Sequence, residues 1–230
     1  MPSDLAPELA ALDERFRLAS TAVVVGADTV TLERPRDADE LINELDFAKD
    51  ERLPYWADVW PSSTALATVI SALDGRGRRA LELGCGLGLV TTAALRAGFD
   101  VLATDYYADA LLFARRNGRQ NTGREPATRL VDWRAFPLDA GRFDLVLASD
   151  VLYEREYASL VAAAIAQSLA PYGVALIADP GRIALLTFLT ACEQRGCRTS
   201  VRERIPWEEG TAKQTITIHE IHGPERHDRP

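Results

Sequence analysis

A short glycine-rich segment that begins with an acidic residue is the feature of this sequence that most directly indicates chemistry. The segment runs Glu82-Leu-Gly84-Cys-Gly86-Leu-Gly88, and a second acid, Asp105, lies about one strand–helix–strand unit downstream. Glycine lets the backbone turn sharply and lets a ligand approach it closely. A carboxylate at the end of the second strand can accept hydrogen bonds from ribose hydroxyls. The spacing therefore indicates a site for a cofactor that contains a nucleoside.

Two classes of cofactor compete for this glycine segment. A dinucleotide site has the pattern G-x-G-x-x-G, with the pyrophosphate at a helix N-terminus, but the sixth position here is Leu89. Glu82 would repel a pyrophosphate, whereas it suits a ligand that carries a cationic amino group. The two acids and the glycine spacing together favour S-adenosylmethionine over NAD. A glycine turn that binds no ligand is the remaining alternative.

The elements around the glycine segment alternate between strands and helices from Arg78 onward. This alternation predicts an α/β protein with a doubly wound, Rossmann-like parallel sheet. In such sheets ligands bind beyond the carboxyl ends of the strands, where the glycine segment and Asp105 lie. The predicted strands are Arg79–Leu83, Asp100–Thr104, Thr128–Asp132, Phe143–Ser149 and Gly173–Asp179, and the predicted helices are Val90–Ala97, Ala108–Gln120, Tyr157–Ala170 and Ile183–Arg195.

Near the C-terminus the pattern changes to an antiparallel pair. Arg198–Ile205 and Lys213–Ile221 are strand-like, and the turn-rich segment Trp207–Gly210 lies between them. This pair brings the predicted sheet to seven strands, mostly parallel with a C-terminal antiparallel strand. A polar tail over residues 223–230 is expected to be disordered.

The N-terminal part is predicted to be an extension over residues 1–53, ahead of the main domain over residues 54–222. The pattern predicts a polar helix over Pro7–Leu18, a β-hairpin formed by Thr21–Val25 and Thr29–Leu32, and a short helix over Asp37–Leu45.

The composition limits the expected partners and metals. The 230 residues carry a formal net charge of −8, and an acidic chain is repelled by nucleic-acid phosphates. The cysteines Cys85, Cys192 and Cys197 form neither a disulfide framework nor a zinc pattern. His219 and His222 would point to opposite faces of a strand. We therefore expect a cytoplasmic monomer that binds no metal, nucleic acid or membrane.

Linked motifs in the middle of the chain carry a resemblance to a known family. They are Pro54–Ser62, the glycine segment Leu81–Val90, Ala103–Asp105, Val131–Trp133 and Ala148–Tyr153. Together they resemble the class I, seven-β-strand S-adenosylmethionine-dependent methyltransferases, and within them family 16, which includes many protein-lysine methyltransferases. The resemblance covers about Leu53 to Arg182, and its first and last motifs are the more family-specific.

The resemblance implies a set of residues that bind the cofactor. In the family, the tryptophan that matches Trp60 lines the cofactor site. The one that matches Trp133 lies against the adenine, and Asp132 would accept from the exocyclic amine. Packing in the core is the alternative for both tryptophans. The full implied set is Trp60, Glu82, Gly84, Cys85, Gly86, Gly88, Asp105, Tyr106, Asp132, Trp133 and Ser149.

The segment Asp150-Val-Leu-Tyr153 resembles the D-x-x-Y motif of the lysine methyltransferases, which places Asp150 and Tyr153 beside the transferred methyl group as the catalytic residues. A carboxylate and a phenol could orient an incoming amine, and Asp150 would attract a lysine ammonium before it loses its proton. A loop-starting cap is the alternative for Asp150. Asp179–Arg182 is similar to a segment of another branch of lysine methyltransferases. Arg182 would bind an acidic substrate group or close the helix start.

The function implied by the resemblance is methylation of a protein lysine. The alternatives are methylation of a small, nicotinamide-like amine and a binding module that has kept the fold but lost catalysis. The intact acids and Tyr153 argue against the non-catalytic module. An open mouth near Tyr153 would favour a protein substrate, whereas a pocket closed by the N-terminal hairpin and the Trp207 turn would favour a small molecule.

Overall fold

The computed structural model describes residues 6–37, 41 and 53–224. Most of the predicted helix over residues 37–45 and most of the predicted tail lie outside the described residues. Within the described ranges, none of the helices combines the length and apolar character needed to cross a membrane.

The strands are β1 (Leu18–Val25), β2 (Asp28–Pro35), β3 (Arg79–Leu83), β4 (Asp100–Asp105), β5 (Ala127–Leu130), β6 (Phe143–Ser149), β7 (Leu169–Asp179), β8 (Arg198–Glu209) and β9 (Ala212–His222). The helices are α1 (Pro7–Ala10), α2 (Leu12–Arg15), α3 (Pro61–Ser71), α4 (Leu89–Arg96), α5 (Ala108–Thr122), α6 (Tyr157–Ser168) and α7 (Leu185–Gln194).

Seven of the strands form one sheet in the order β5-β4-β3-β6-β7-β9-β8. Strands β3 to β7 run parallel, and β9 pairs antiparallel with both β7 and β8. The chain order reverses between β3 and β6, and ligands bind at such switch points in open α/β sheets. The predicted α/β class and the mostly parallel, seven-stranded sheet with one antiparallel strand are confirmed.

The central strands alternate their side chains between two hydrophobic cores. In β6, Leu145 and Leu147 join the core formed with α3, α4 and α5, whereas Val146 and Ala148 join the core formed with α6 and α7. All four side chains are at most 1% exposed. Helices cover both faces of the sheet, and the strand is therefore apolar at successive positions rather than at every second one.

The N-terminal hairpin, formed by β1 and β2, packs against α5 and shares its core. Val30 and Leu32 are fully buried there. The backbone of β2 is bonded to side chains of α5: Glu33 N–H donates to Asn117 Oδ1 over 2.8 Å, and Thr31 N–H donates to Asn121 Oδ1 over 3.0 Å. Asn117 Nδ2 also donates to Glu33 O and to Leu87 O in the glycine segment, both over 2.9 Å. One amide side chain therefore joins the hairpin to the glycine segment.

Some boundaries predicted from the sequence are wrong. The predicted helix Tyr157–Ala170 ends at Ser168, because Leu169 and Ala170 belong to β7. The predicted helix Pro7–Leu18 ends early: Phe16 is extended, with φ −130° and ψ 143°, and Leu18 already pairs with Pro35 in the hairpin. Backbone pairing with β2 outweighs the helical pattern there. Trp207 lies in β8, opposite Gln214, rather than in a turn. The turn falls at Gly210, whose φ of +58° suits glycine.

The close approach of α4 and α5 depends on Gly88 and can be tested with alanine. A Cβ at Gly88 would lie 2.6 Å from Ala114 Cα, whereas one at Gly123 would meet nothing within 4 Å; both glycines have φ between +71° and +79°. We expect Gly123→Ala to lower the free energy of unfolding by about 1 kcal/mol, the cost of the left-handed backbone. Gly88→Ala should lower it by about 1–3 kcal/mol more, because overpacking adds to that cost. Chemical denaturation measures both values, and equal losses would contradict the packing role.

Candidate functional site

A cleft opens at the carboxyl ends of β3, β4 and β6, where the strand order reverses. Its volume is about 300 Å³, which is within the range of ligand pockets. Gly88 is the one predicted residue that is not among the described residues lining the cleft; it packs against α5, and its contact with a cofactor stays a prediction. The predicted residues that do line the cleft are Trp60, Glu82, Gly84, Cys85, Gly86, Asp105, Tyr106, Asp132, Trp133, Ser149, Asp150 and Tyr153.

The glycine segment turns tightly between β3 and α4 and leaves its backbone open to the cleft. Gly84 and Gly86 have φ values of +70° and +50°, which favour glycine. A Cβ at Gly84 would lie 3.1 Å from Val151 and 3.4 Å from Trp133, and one at Gly86 would lie 3.1 Å from Trp56 O. Any larger residue would therefore fill the space beside this backbone.

Asp105, at the end of β4, holds the glycine segment in place. Its Oδ2 accepts from Gly86 N–H over 2.9 Å, and its Oδ1 accepts from Tyr107 N–H over 3.0 Å. The residue is 7% exposed, and burial raises the pKa of its carboxyl, although the backbone N–H groups lower it in part. Each carboxylate oxygen keeps a lone pair that can accept from a ligand hydroxyl.

Glu82 is buried below the glycine segment, and none of the described residues forms an ion pair with it. The Thr91 hydroxyl donates to Glu82 Oε2, and the residue is 1% exposed. Burial, with a smaller contribution from the neighbouring Asp105, raises the pKa of Glu82 to about 8, although the hydrogen bonds with Thr91 lower it in part. A cation that entered the cleft would stabilise the ionised form of this carboxyl.

Five aromatic rings form a continuous row along one wall of the cleft. They follow the order Trp60, Tyr55, Tyr153, Tyr157 and Trp133, and neighbouring rings meet edge to face with centroids 5.3 to 5.8 Å apart. This geometry is favourable for aromatic pairs. Tyr55 and Tyr153 are the most exposed members, at 41% and 37%. The wall therefore runs from the open mouth to the side where Trp133 lies over Gly84.

The carboxylate of Asp150 is buried and paired rather than free at the mouth. Arg182 Nε donates to its Oδ1 over 2.6 Å, and the Ser62 hydroxyl donates to its Oδ2 over 3.2 Å. The sequence interpretation, in which Asp150 attracts an ammonium directly, did not include this ion pair, and the role of Asp150 stays a prediction. Neither role predicted for Arg182 included a bond to Asp150, although the backbone N–H of Arg182 does close the loop by donating to Asp179.

The remaining predicted residues differ in how freely they face the cleft. Asp132 Oδ1 accepts from the backbone and side chain of Arg134, each over 3.0 Å. Burial raises the pKa of the Cys85 thiol well above its ordinary value, so Cys85 is a neutral, small side chain in the loop. Tyr106 and Ser149 lie on the lining at the ends of β4 and β6.

Several residues of the site were not singled out from the sequence. Tyr55 lies within the family-specific motif Pro54–Ser62, and its position there was a usable signal. Tyr157 and Tyr107 follow the ends of strands that were predicted correctly. Ser62 was predicted only as part of a helix start, because its bond to Asp150 spans 88 positions.

Comparison with known proteins agrees with this geometry. Residues 81–177 match the sequence model of a family described as a methyltransferase domain. The chain is 35% identical over 138 residues to the electron transfer flavoprotein beta subunit lysine methyltransferase of Xenopus laevis, covering 56% of this chain and 53% of that protein. It is 31% identical over 139 residues to EEF1A lysine methyltransferase 3 of Mus musculus, covering 57% and 58%. The prediction of a methyltransferase is borne out over the matched residues 81–177, which include Glu82, Asp105 and Asp150.

The chain spans slightly more than half the length of these relatives. A solved structure with the same fold is the N-methyltransferase NodS from Bradyrhizobium japonicum in complex with S-adenosyl-l-homocysteine. Its TM-score is 0.58 at 19% identity, and the match covers 81% of this chain and 96% of NodS. The predicted fold is therefore confirmed, whereas the roles of individual site residues stay predictions.

The buried Glu82 of the methyltransferase domain makes stability depend on pH. In the folded protein Glu82 keeps its proton up to a pKa of about 8, whereas the unfolded chain releases it near 4.5. Between these values folding takes up a proton, and the stability contributed by this group is lost as the pH rises. Glu82→Gln cannot titrate. The free energy of unfolding of Glu82→Gln, relative to that of the wild type, should rise by up to about 1.4 kcal/mol per pH unit between pH 4.5 and about 8.

Urea unfolding at a series of pH values measures this difference. Glu154→Gln, which removes an exposed carboxylate from the lining of the same cleft, is the matched control. A difference between Glu82→Gln and wild type that does not change with pH would show that Glu82 is ionised in the folded, ligand-free protein.

Proposed function

We propose that this chain binds S-adenosylmethionine in the cleft and transfers its methyl group to a lysine side chain of a protein. The proposal rests on one observation: the residues suited to bind the cofactor and the residues suited to orient the acceptor line the same cleft. Glu82, Asp105 and the glycine backbone form one part of its lining, and Asp150 and Tyr153 form another.

The lining fits the three parts of S-adenosylmethionine. Asp105 can accept from the ribose hydroxyls. Glu82 can pair with the amino group of the methionine part, a cation that would offset the cost of its burial. Trp133 offers an aromatic surface for the adenine, and Gly84 and Gly86 line the cleft without side chains that would cover their backbone. A pyrophosphate would instead meet the carboxylate of Glu82.

The mouth of the cleft supports a macromolecular acceptor. Tyr55 and Tyr153 are 41% and 37% exposed at the rim, and a lysine side chain is long enough to reach past such a rim. Leu32 of the N-terminal hairpin is part of the lining, but Trp207 is not among the lining residues that the structure describes. The hairpin and the Trp207 segment therefore do not close the cleft together. The relatives named above as lysine methyltransferases support the same acceptor.

The groups at the acceptor side favour a neutral amine. When bound, S-adenosylmethionine supplies a methyl group on a positively charged sulfur, and transfer to a neutral amine leaves S-adenosylhomocysteine and releases one proton to solvent. Asp150 and Arg182 together carry no net charge, so they attract a lysine ammonium less strongly than a free carboxylate would. Burial raises the pKa of Tyr153 above its ordinary value. Tyr153 therefore stays a neutral phenol that can orient the amine but does not remove its proton.

The other expectations from the sequence concern assembly and location. A cytoplasmic monomer that binds neither nucleic acid nor a membrane rests on composition alone and stays a prediction.

Binding of the cofactor can be measured directly by calorimetry. We expect S-adenosylmethionine and S-adenosylhomocysteine to bind, and NAD to give no signal. Gly84→Arg should abolish binding, because even a Cβ at Gly84 would lie 3.1 Å from Val151 at the cleft. Gly210→Arg, at a hairpin tip where a Cβ meets nothing within 4 Å, is the control. Binding of NAD without S-adenosylmethionine would overturn the assignment of the cofactor.

The acceptor can be found by incubating the protein with radiolabelled S-adenosylmethionine and a cell lysate. We expect label in protein, recovered as methyl-lysine by mass spectrometry. Asp150→Ala should lower the labelling rate by roughly a hundred-fold, since a small misplacement of a reacting group has that effect, while cofactor affinity stays within a few-fold. Glu156→Ala, an exposed carboxylate on the same lining, is the control.

The distribution of label separates the alternatives. Label confined to small molecules would support the amine N-methyltransferase instead. The absence of label from both fractions, with cofactor bound, would contradict catalysis.

A further inference from the structure

We propose that Arg182 is a positioning residue that holds the carboxylate of Asp150 at the acceptor side of the cleft. The inference rests on the proposed function, in which Asp150 lies beside the transferred methyl group. It assigns to Arg182 a role that acts through Asp150 and not through contact with the methyl group, the adenosine or the acceptor.

The loop after β7 is shaped so that it presents Arg182 to Asp150. Asp179, at the end of β7, accepts from the backbone N–H groups of Gly181 and Arg182 through Oδ1, each over 2.7 Å. Ala184 N–H then donates to Leu152 O over 3.2 Å, which ties this loop to the loop after β6. The loops after β6 and β7 are therefore joined by a backbone hydrogen bond and by the side-chain bond between Arg182 and Asp150.

Asp150 is held by groups from three different elements. Its backbone N–H donates to Ala178 O of β7 over 3.0 Å. Its carboxylate accepts from Arg182 Nε over 2.6 Å and from the Ser62 hydroxyl of α3 over 3.2 Å. The two carboxylate oxygens thus have one donor each, from separate parts of the fold, and the side chain cannot rotate without breaking a bond.

The backbone of Asp150 is in a conformation that needs such support. Its φ is +58°, which is uncommon for a residue with a Cβ and is often found at functional sites. The side chain is only 6% exposed, whereas that of Arg182 is 36% exposed. Removing Arg182 would leave a buried carboxylate without its countercharge, and this loss is costly for a buried pair.

The position of Arg182 also indicates that it holds Asp150 and does not contact a ligand in the cleft. Its guanidinium lies 5.7 Å from the centre of the Trp60 ring, on the outer end of the aromatic row. Arg182 is not among the described residues that line the cleft, whereas Asp150, Trp60 and Tyr153 are. The geometry accordingly places Arg182 behind Asp150 as seen from the cleft.

The test compares two cofactor analogues, and it needs no known acceptor. Sinefungin carries an ammonium group in place of the methyl-bearing sulfonium, and S-adenosylhomocysteine lacks the methyl group. The ratio of their dissociation constants therefore reports what surrounds the transferred methyl. Asp150→Ala should lower the preference for sinefungin roughly ten-fold, the size of one charged hydrogen bond. Arg182→Ala should lower it by a similar factor, with the affinity for S-adenosylhomocysteine unchanged within about three-fold.

A double variant and a conservative variant test whether Arg182 acts through Asp150. Adding Arg182→Ala to Asp150→Ala should have no further effect on the ratio, because Arg182 acts through Asp150. Arg182→Lys keeps the charge and a donor and should restore part of the preference. Arg155→Ala, an exposed arginine between Tyr153 and Tyr157, is the control and should behave as wild type. If Arg182→Ala no longer folds in a melting experiment, Arg182→Gln replaces it.

The outcomes separate this inference from the proposed function. If wild type binds neither analogue, the proposed function fails. If wild type binds both, three results overturn the role of Arg182 alone. These are an unchanged or increased sinefungin preference in Arg182→Ala, a further loss in the double variant, and an unchanged preference in Asp150→Ala.

Discussion

The hydrogen bond from Gly86 N–H to the carboxylate of Asp105 is the interaction on which the site depends. It joins the end of β4 to the loop that leaves β3, and it fixes a backbone that glycine alone can follow comfortably. Once this loop is fixed, α4 starts at Gly88 and can approach α5 closely. The cleft is thus the space that remains when two parallel strands end side by side and their loops turn away from each other.

A consequence of this construction is that two carboxyl groups, Glu82 and Asp105, are buried close to one another. Burial raises the pKa of both, and a ligand with hydroxyl donors and a cation meets the needs of each. A pyrophosphate supplies no cation and would leave Glu82 without a counter-charge. The two carboxyl groups therefore favour a ligand with ribose hydroxyls and a cation over a dinucleotide, although neither group contacts the reacting atoms in the proposed complex.

Features that depend on local spacing could be predicted from the sequence. Glu82, the glycines and Asp105 are close in sequence or separated by one strand–helix–strand unit, and their arrangement follows from the parallel sheet. The end of the first helix could not be predicted in the same way, because Leu18 is withdrawn from the helix by pairing with Pro35, which lies in another strand. The bond between Asp150 and Arg182 spans 32 positions. It depends on the β6–β7 register, in which Ser149 pairs with Ala178, and on the turn of each following loop.

The amide of Asn117 has a consequence for where this protein can be divided. Asn117 forms hydrogen bonds both with Glu33 in the N-terminal hairpin and with Leu87 in the glycine segment. The matched family region, however, begins only at residue 81. A fragment cut to the limits of sequence similarity would lose the hairpin, expose the apolar face of α5 and leave one donor and one acceptor of this amide without partners. A fragment that keeps the hydrogen bonds of this amide must therefore be larger than the matched family region and must include the hairpin.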